Sequence, residues 1–147
     1  MFGQISKKSE PRGTKNSPNP EGVSREDAKM GCMANPQAMI VTPTRELADQ
    51  IYKIALQLNQ VAEPRSQLSI VQLIGGLPLE SDLTNLKLDP EVIIGTTGRI
   101  QLHLSDNNLG FGNLRLFIAD EADVLLKAKD FRRLFGSVRH ERDKRPL

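Results

Sequence analysis

The chain has 147 residues, of which 38% are hydrophobic and 26% are charged, so it has room for one domain with a real core. A single cysteine, Cys32, excludes an internal disulfide and is typical of a reducing compartment. No long apolar segment and no secretory signal is present, so we expect an intracellular protein, cytoplasmic or nuclear, that does not interact with membranes.

The net charge of +2 is unevenly distributed along the chain. Residues 1–36 carry six Lys or Arg against four Asp or Glu, residues 37–126 carry six against eleven, and residues 127–147 carry eight against three. Residues 1–35 are rich in Ser, Pro, Gly, Asn and Lys without apolar periodicity, which predicts a disordered lead-in. We therefore expect a folded part over 36–138 and a basic tail over 139–147, which could meet phosphate or simply be solvated.

Four apolar runs separated by helical patterns predict a parallel α/β sheet with flanking helices. The runs cover residues 38–41, 67–74, 91–95 and 114–119. The last run is apolar on both faces, which favours a strand that is covered on each side. The first helix should bury a stripe at helical spacing. Its members are Leu47, Ile51, Ile54, Leu58 and Val61.

The first strand is followed by Pro43, Thr44 and Arg45. Thr44 is a good N-cap for the helix, whereas a cation in the first turn opposes the helix dipole. Free N–H groups together with a guanidinium form an anion site that suits phosphate. The alternative is a surface arginine that pairs with a nearby acid.

The next two strands end in similar polar turns. Gly75 and Gly76 follow the second strand, where they permit either close approach of a ligand or simply a tight turn. Thr97, Gly98 and Arg99 follow the third strand and repeat the pattern of a threonine cap with an arginine behind it. Two arginines at two helix starts on one sheet edge favour phosphates along a nucleic-acid strand. His103 has no partner cluster in the sequence, so we expect it at the surface or half-buried.

The fourth run ends in Asp120 and Glu121, followed by Asp123. At the carboxyl end of a strand, one carboxylate can hold Mg²⁺ through water and a neighbour can orient the water that attacks a phosphate. An acidic helix N-terminus explains the same residues about equally well.

Together PTRELA at 43–48, Gly75-Gly76, TTGR at 96–99 and DEAD at 120–123 resemble the DEAD-box ATP-dependent RNA helicase family over residues 36–138. The resemblance implies part of a first RecA-like lobe with about four strands. It places RNA-backbone contacts at Pro43, Thr44, Arg45, Gly75, Gly76, Thr97, Gly98 and Arg99. It places Mg²⁺ coordination and water activation for ATP hydrolysis at Asp120 and Glu121, and the link to the Ser-Ala-Thr motif at Asp123.

The sequence also departs from the family pattern. Threonine stands at 97 where the family usually has proline, no Gly-Lys-Thr phosphate loop precedes PTRELA, and no Ser-Ala-Thr motif follows DEAD. We therefore expect an incomplete lobe whose last strand is an open edge, and which binds neither ATP nor Mg²⁺ well alone. The alternative is a non-enzymatic module that binds RNA backbone or a partner. Within the family, GGLPLESDLTNLK, GRI and RLFIADEADVLL most resemble a member from a ribonucleoprotein assembly complex, which implies such a complex as a partner.

Overall fold

The computed structural model describes residues 34–144, in which strands and helices alternate along the chain. In chain order the elements are β1 Ala38–Thr42, α1 Arg45–Val61, a 3-10 turn Pro64–Ser66, β2 Ile70–Leu73, α2 Leu79–Leu86, β3 Val92–Thr96, α3 Thr97–Ser105, β4 Leu116–Ala119, α4 Ala122–Leu125 and α5 Lys129–Asp143. The lead-in predicted for 1–35 lies outside the described residues except for its last two. Of these, Ala34 is buried and pairs with Leu109 in a parallel bridge.

The four strands form one parallel sheet in the order β2-β3-β1-β4. Parallel neighbours need long crossovers, and the helices between the strands provide them. This architecture confirms the predicted α/β fold with a RecA-like parallel sheet of about four strands. Within the described residues, β4 has a neighbour on one side only, as expected for an open edge.

The second strand is shorter than its apolar run predicts. Strand pairing begins only at Ile70, because the backbone of Leu68 is bound instead by the side chain of Asn59. The Asn59 amide donates to the Leu68 carbonyl, and the Asn59 carbonyl accepts from the Leu68 N–H, both at 2.8 Å. A side chain from α1 therefore takes the backbone groups that a longer β2 would use.

The main core lies on one face of the sheet, where α2 to α5 pack against alternate strand residues. The buried strand residues on this face are Met39, Val41, Val71, Leu73 and Ile93. The buried helix residues that meet them are Leu86, Ile100, Leu125, Phe131 and Leu134. A cluster of three aromatic rings, Phe117, Phe131 and Phe135, joins β4 to α5 with centroid separations of 6.1–6.4 Å.

Among the described residues, α1 is the helix that covers the opposite face of the sheet, and two predictions fail there wholly or in part. Leu116 and Ile118 of β4 are 52% and 40% exposed, so β4 is not covered on both faces. The predicted stripe of α1 is only partly covered: Leu47 and Ile51 are half-buried, whereas Ile54, Leu58 and Val61 are exposed. Ala48 is the one residue of this helix that is fully buried. One helix packed on β1, β2 and β3 leaves its own outer flank and the face of β4 without a neighbour among residues 34–144.

The basic tail predicted for 139–147 begins inside a helix. α5 continues through Asp143, five residues beyond Val138, the last apolar residue of this helix. Lys144 Nζ donates a hydrogen bond to Glu141 Oε2 at 3.3 Å. Residues 145–147 are not described. Between residues 34 and 144 no helix is long and apolar enough to cross a membrane.

Candidate functional site

All the polar motifs predicted from the sequence lie at one edge of the sheet, because all four strands run in the same direction. In the register, Thr42 is beside Thr96, Val41 is beside Ala119, and Leu73 is beside Gly95. Each motif begins within two residues of one of these positions. The carboxyl edge of a parallel sheet is where ligands of α/β proteins bind.

The turn after β1 is held by its own hydroxyl groups. The buried Thr42 hydroxyl donates to the Thr44 carbonyl at 3.0 Å, and the Thr44 side chain accepts from the Leu47 N–H at 3.3 Å. Thr44 is therefore the N-cap that the sequence predicts, with Pro43 between the two threonines. This leaves Arg45 as the first residue of α1, where it is exposed and makes no ion pair with residues 34–144.

The Arg45 side chain lies over Gly75 and Gly76, which follow β2. A Cβ built on Gly76 would be 2.7 Å from Arg45 Nη1, and one on Gly75 would be 3.7 Å from Arg45 Nε. Gly76 also has φ +89, a conformation that side chains disfavour. The structure therefore shows Gly76 in a tight turn, and its missing side chain leaves room for the Arg45 guanidinium beside the backbone, whereas close approach of a ligand stays a prediction.

Arg99 differs from Arg45 in its surroundings. Thr96 is the N-cap and Thr97 the first residue of α3, as the repeated pattern predicts, and Gly98 has open space around it. The Arg99 side chain is only 12% exposed. Its Nε donates to Asp82 Oδ2 at 2.6 Å, and its Nη2 donates to the Leu77 carbonyl at 2.8 Å.

His103 is fully buried, so the expectation of a surface or half-buried residue is wrong. Its Nε2 lies 2.9 Å from the same oxygen of Asp82, which is itself 2% exposed. The sequence analysis did not identify Asp82, although two features pointed to it. Asp82 lies on the same helical stripe as Leu79 and Leu86, and His103 lies one helical turn from Ile100. A carboxylate and an imidazole on the inward faces of consecutive helices indicate a buried pair.

The acidic residues lie at the other end of this edge, after β4. The Asp120 N–H donates to the Val41 carbonyl at 3.0 Å, and Asp120 Oδ1 accepts from the Glu121 N–H at 2.9 Å. Glu121 has φ +51, which for a residue with a side chain is a costly conformation of the kind found at functional turns. Glu121 and Asp123 are exposed.

These carboxylates fit part of a Mg²⁺–nucleotide site. Residues 34–144 hold no group of three or more His, Cys, Asp or Glu that could bind a metal alone. Mg²⁺ commonly keeps several waters and uses one or two carboxylates together with the phosphates of a substrate. Asp120 and Glu121 suit the metal and water side of such a site, whereas the 147-residue sequence contains no Gly-Lys-Thr loop for the phosphates.

Several motif residues, among them Thr44, Arg45, Gly76 and Gly98, are exposed at the surface. A groove of about 400 Å³ lies between β4 and α5, lined by Phe117, Phe135 and Val138 among others and by none of the motif residues. Arg45, the glycine pair, Leu77 and Arg99 form a continuous strip along the carboxyl edge. An exposed strip with cationic and backbone N–H groups suits an extended polyanion better than a small molecule.

Residues 23–145 match the model of the family described as DEAD/DEAH box helicase. The chain belongs to the DEAD/DEAH box helicase family. Among similar helicase relatives, eukaryotic initiation factor 4A of Cryptosporidium parvum is 40% identical over 90 residues, 61% of this chain and 21% of that protein. The DEAD-box ATP-dependent RNA helicase CshB of Bacillus subtilis is 38% identical over 90 residues, 61% of this chain and 20% of that protein.

The fold is also similar to that of a solved DEAD-box protein. The chain resembles the crystal structure of the yeast DEAD-box splicing factor Prp28 with a TM-score of 0.68 and 23% identity, over 75% of this chain and 25% of that one. The chain thus spans about a fifth of the length of the helicase relatives it matches. The match confirms a DEAD-box helicase domain over part of the chain, with a RecA-like sheet.

Proposed function

We propose that this chain binds the sugar–phosphate backbone of RNA at Pro43–Arg45, Gly75-Gly76 and Thr97–Arg99, as part of an ATP-dependent RNA helicase. The observation that carries the proposal is the placement of Arg45. Its guanidinium has no acidic partner among residues 34–144 and lies against the backbone of Gly76, at the shared edge where two helices begin. Relatives named as ATP-dependent RNA helicases support the choice of RNA.

The binding should be indifferent to base sequence. Arginine and backbone N–H groups contact phosphate, which carries no sequence information. Only 4% of residues are aromatic, which is too few for a base-stacking platform. Affinity should therefore fall steeply with salt, since each neutralised phosphate releases counterions.

A titration of the full chain with single-stranded RNA at several salt concentrations tests this proposal. Arg45→Ala should weaken binding and flatten the salt dependence by about one ion. Arg65→Ala is the matched control, because Arg65 is also an exposed arginine but precedes β2 and so lies at the opposite edge of the sheet. Equal losses from the two variants would mean that the affinity comes from net charge and not from this site.

The basic end of α5 is the competing source of affinity. Arg139 and Arg142 are exposed on this helix, far along the chain from the motifs. A double variant, Arg139→Ala with Arg142→Ala, removes both charges and leaves a helix-forming sequence. If this variant abolishes binding while Arg45→Ala binds normally, the motif strip is not the RNA site.

The acidic motif completes the proposal for the intact helicase. Bound Mg²⁺ and ATP would supply the phosphoryl chemistry, with Asp120 and Glu121 holding the metal's waters and orienting the attacking water. Because nothing in this sequence holds the β- and γ-phosphates, we expect no ATPase activity from this chain alone. RNA-stimulated turnover that disappears in Glu121→Gln would contradict this expectation and would also exclude the alternative of a non-enzymatic module.

We further propose a position for the chain within the family and the cell. We propose that the chain is related to the DEAD-box subunit of the survival-of-motor-neuron complex, which the segments GGLPLESDLTNLK, GRI and RLFIADEADVLL resemble, and that a ribonucleoprotein assembly complex is its partner. The single cysteine supports an intracellular location, cytoplasmic or nuclear. Binding of the purified chain to that complex, measured with and without RNA, tests the partner, and fluorescence imaging of the tagged chain tests the location.

A further inference from the structure

A buried ionic cluster lies directly beside the glycine pair. We define it as Asp82, Arg99 and His103, and call it the Asp82 cluster. One carboxylate oxygen of Asp82 accepts from Arg99 Nε at 2.6 Å and faces His103 Nε2 at 2.9 Å. Arg99 Nη2 donates at 2.8 Å to the carbonyl of Leu77, the residue after the glycine pair. The cluster thus ties α2, the turn after β2 and the first turn of α3 together.

The orientation of His103 follows from its surroundings. Its Nδ1 is buried and has no hydrogen-bond partner among the described residues, whereas Nε2 faces the carboxylate. An N–H at Nδ1 would leave a buried donor unsatisfied, so Nε2 carries the proton and donates it to Asp82. Asp82 therefore receives two donors at one oxygen, and both donors come from α3.

Stability alone does not explain why an ion cluster of this kind is present. Buried ion pairs are often replaceable by apolar residues of similar size without loss of stability, whereas the removal of one partner is costly. What apolar residues could not reproduce is the fork of Arg99, which fixes both the carboxylate on α2 and a backbone carbonyl in the turn. The spacing between these two segments is the property that the cluster determines.

We infer that Asp82, with His103 as its second donor, is a positioning residue for the RNA-backbone strip. It holds Arg99 so that the Gly75–Leu77 turn and the first turn of α3 keep a fixed spacing. This inference rests on the proposed function and deepens it. Within the proposed contact at Thr97–Arg99, the Arg99 side chain acts as a bridge through the cluster and the backbone N–H groups of this segment face the RNA, whereas Arg45, which has no ion pair with residues 34–144, supplies the charge of the strip.

The inference makes a prediction opposite to that of simple electrostatics. If Asp82 merely sequestered Arg99, Asp82→Asn would release a cation, tighten RNA binding and steepen the salt dependence by about one ion. If Asp82 positions the strip, the same variant weakens binding by about tenfold or more, the scale on which lost hydrogen bonds to a charged group act. Glu80→Gln is the matched control, because it removes the same charge from an exposed site on the same helix.

Arg99 and His103 provide independent variants. Arg99→Ala should weaken binding without flattening the salt dependence, since its charge is already compensated by Asp82. Arg99→Lys keeps the charge but loses the fork, so it should resemble Arg99→Ala and not the wild type. His103→Leu removes one of the two donors and should weaken binding less than Asp82→Asn, again with an unchanged salt dependence.

The measurement is an RNA titration of the full chain at several salt concentrations, with circular dichroism to verify that each variant is folded at the assay temperature. If Asp82→Asn does not fold, Arg99→Lys, which leaves no buried charge unpaired, decides the question. If the wild-type chain binds RNA and both Asp82→Asn and Arg99→Lys bind it with equal or higher affinity, this inference alone is overturned. It is also overturned if Arg99→Ala flattens the salt dependence by one ion. Failure of the wild-type chain to bind RNA overturns the proposed function and this inference with it.

Discussion

Replacement of Gly76 by alanine tests the contact on which the candidate site depends. The new Cβ would lie 2.7 Å from Arg45 Nη1, closer than such atoms approach, so the guanidinium must move. The φ of +89 at this residue adds a backbone cost of about 1–2 kcal/mol for any residue with a side chain. For a small domain, each kcal/mol lowers the Tm by roughly 4–8 °C.

Gly75→Ala is the matched control for this substitution. A Cβ there would be 3.7 Å from Arg45 Nε, an ordinary van der Waals contact, and the backbone has no positive φ. Alanine at an unstrained glycine position stabilises by about 0.4–1 kcal/mol, because the unfolded chain loses freedom. Thermal unfolding followed by circular dichroism should therefore show a clear loss for Gly76→Ala and no loss for Gly75→Ala.

RNA binding extends the same test from stability to function. Gly76→Ala should weaken RNA binding and flatten its salt dependence by up to one ion, since Arg45 is displaced from the strip. The reasoning is refuted if the two alanine variants have equal melting temperatures. It is also refuted if Gly76→Ala melts earlier but binds RNA with unchanged affinity, because the position of Arg45 would then be irrelevant to binding.

Gly95→Ala should destabilise the fold more than Gly76→Ala, because the new Cβ would collide with the backbone carbonyl of Leu73 on the neighbouring strand and neither atom can rotate away. Thermal unfolding measures the loss of stability, and a melting temperature equal to that of the wild type would contradict this prediction. We expect the open edge strand β4 to promote self-association, so Ile118→Lys, at a side chain that is 40% exposed, should reduce association in sedimentation experiments without lowering the Tm; unchanged association would mean that this strand does not mediate it. The hydrogen bond from Lys53 lowers the pKa of Asp49. Their exposed pair therefore stabilises the fold at pH values above the ordinary aspartate pKa of about 4, and this contribution is lost as the pH falls through the lowered pKa. Asp49→Asn should therefore change the Tm very little at pH 7 and not at all at pH 2, and a larger effect at the lower pH would contradict the sign.

The sequence by itself determined the order of elements and the edge at which the motifs meet. Apolar runs of strand length alternate with helical patterns, and a parallel arrangement then brings every carboxyl end to one side whatever the exact boundaries. The cap Thr44 was also predictable, because capping depends on a residue and the few that follow it, whereas Thr96 occupies the N-cap position of α3 without a capping hydrogen bond from its side chain. These features are local or follow from chain direction, so periodicity and spacing are sufficient to predict them.

Only the tertiary structure decided which residues are covered and which charges are paired. Ile118 of β4 and Val61 of α1 carry apolar side chains in a regular pattern, yet both are exposed, because burial depends on whether another element packs there. Arg45 and Arg99 occupy similar motifs, yet Arg45 has no ion pair with residues 34–144, whereas Arg99 is held by Asp82, 17 residues earlier on another helix. Such pairings depend on contacts between distant parts of the chain, and spacing along the sequence does not encode the distance between two helices.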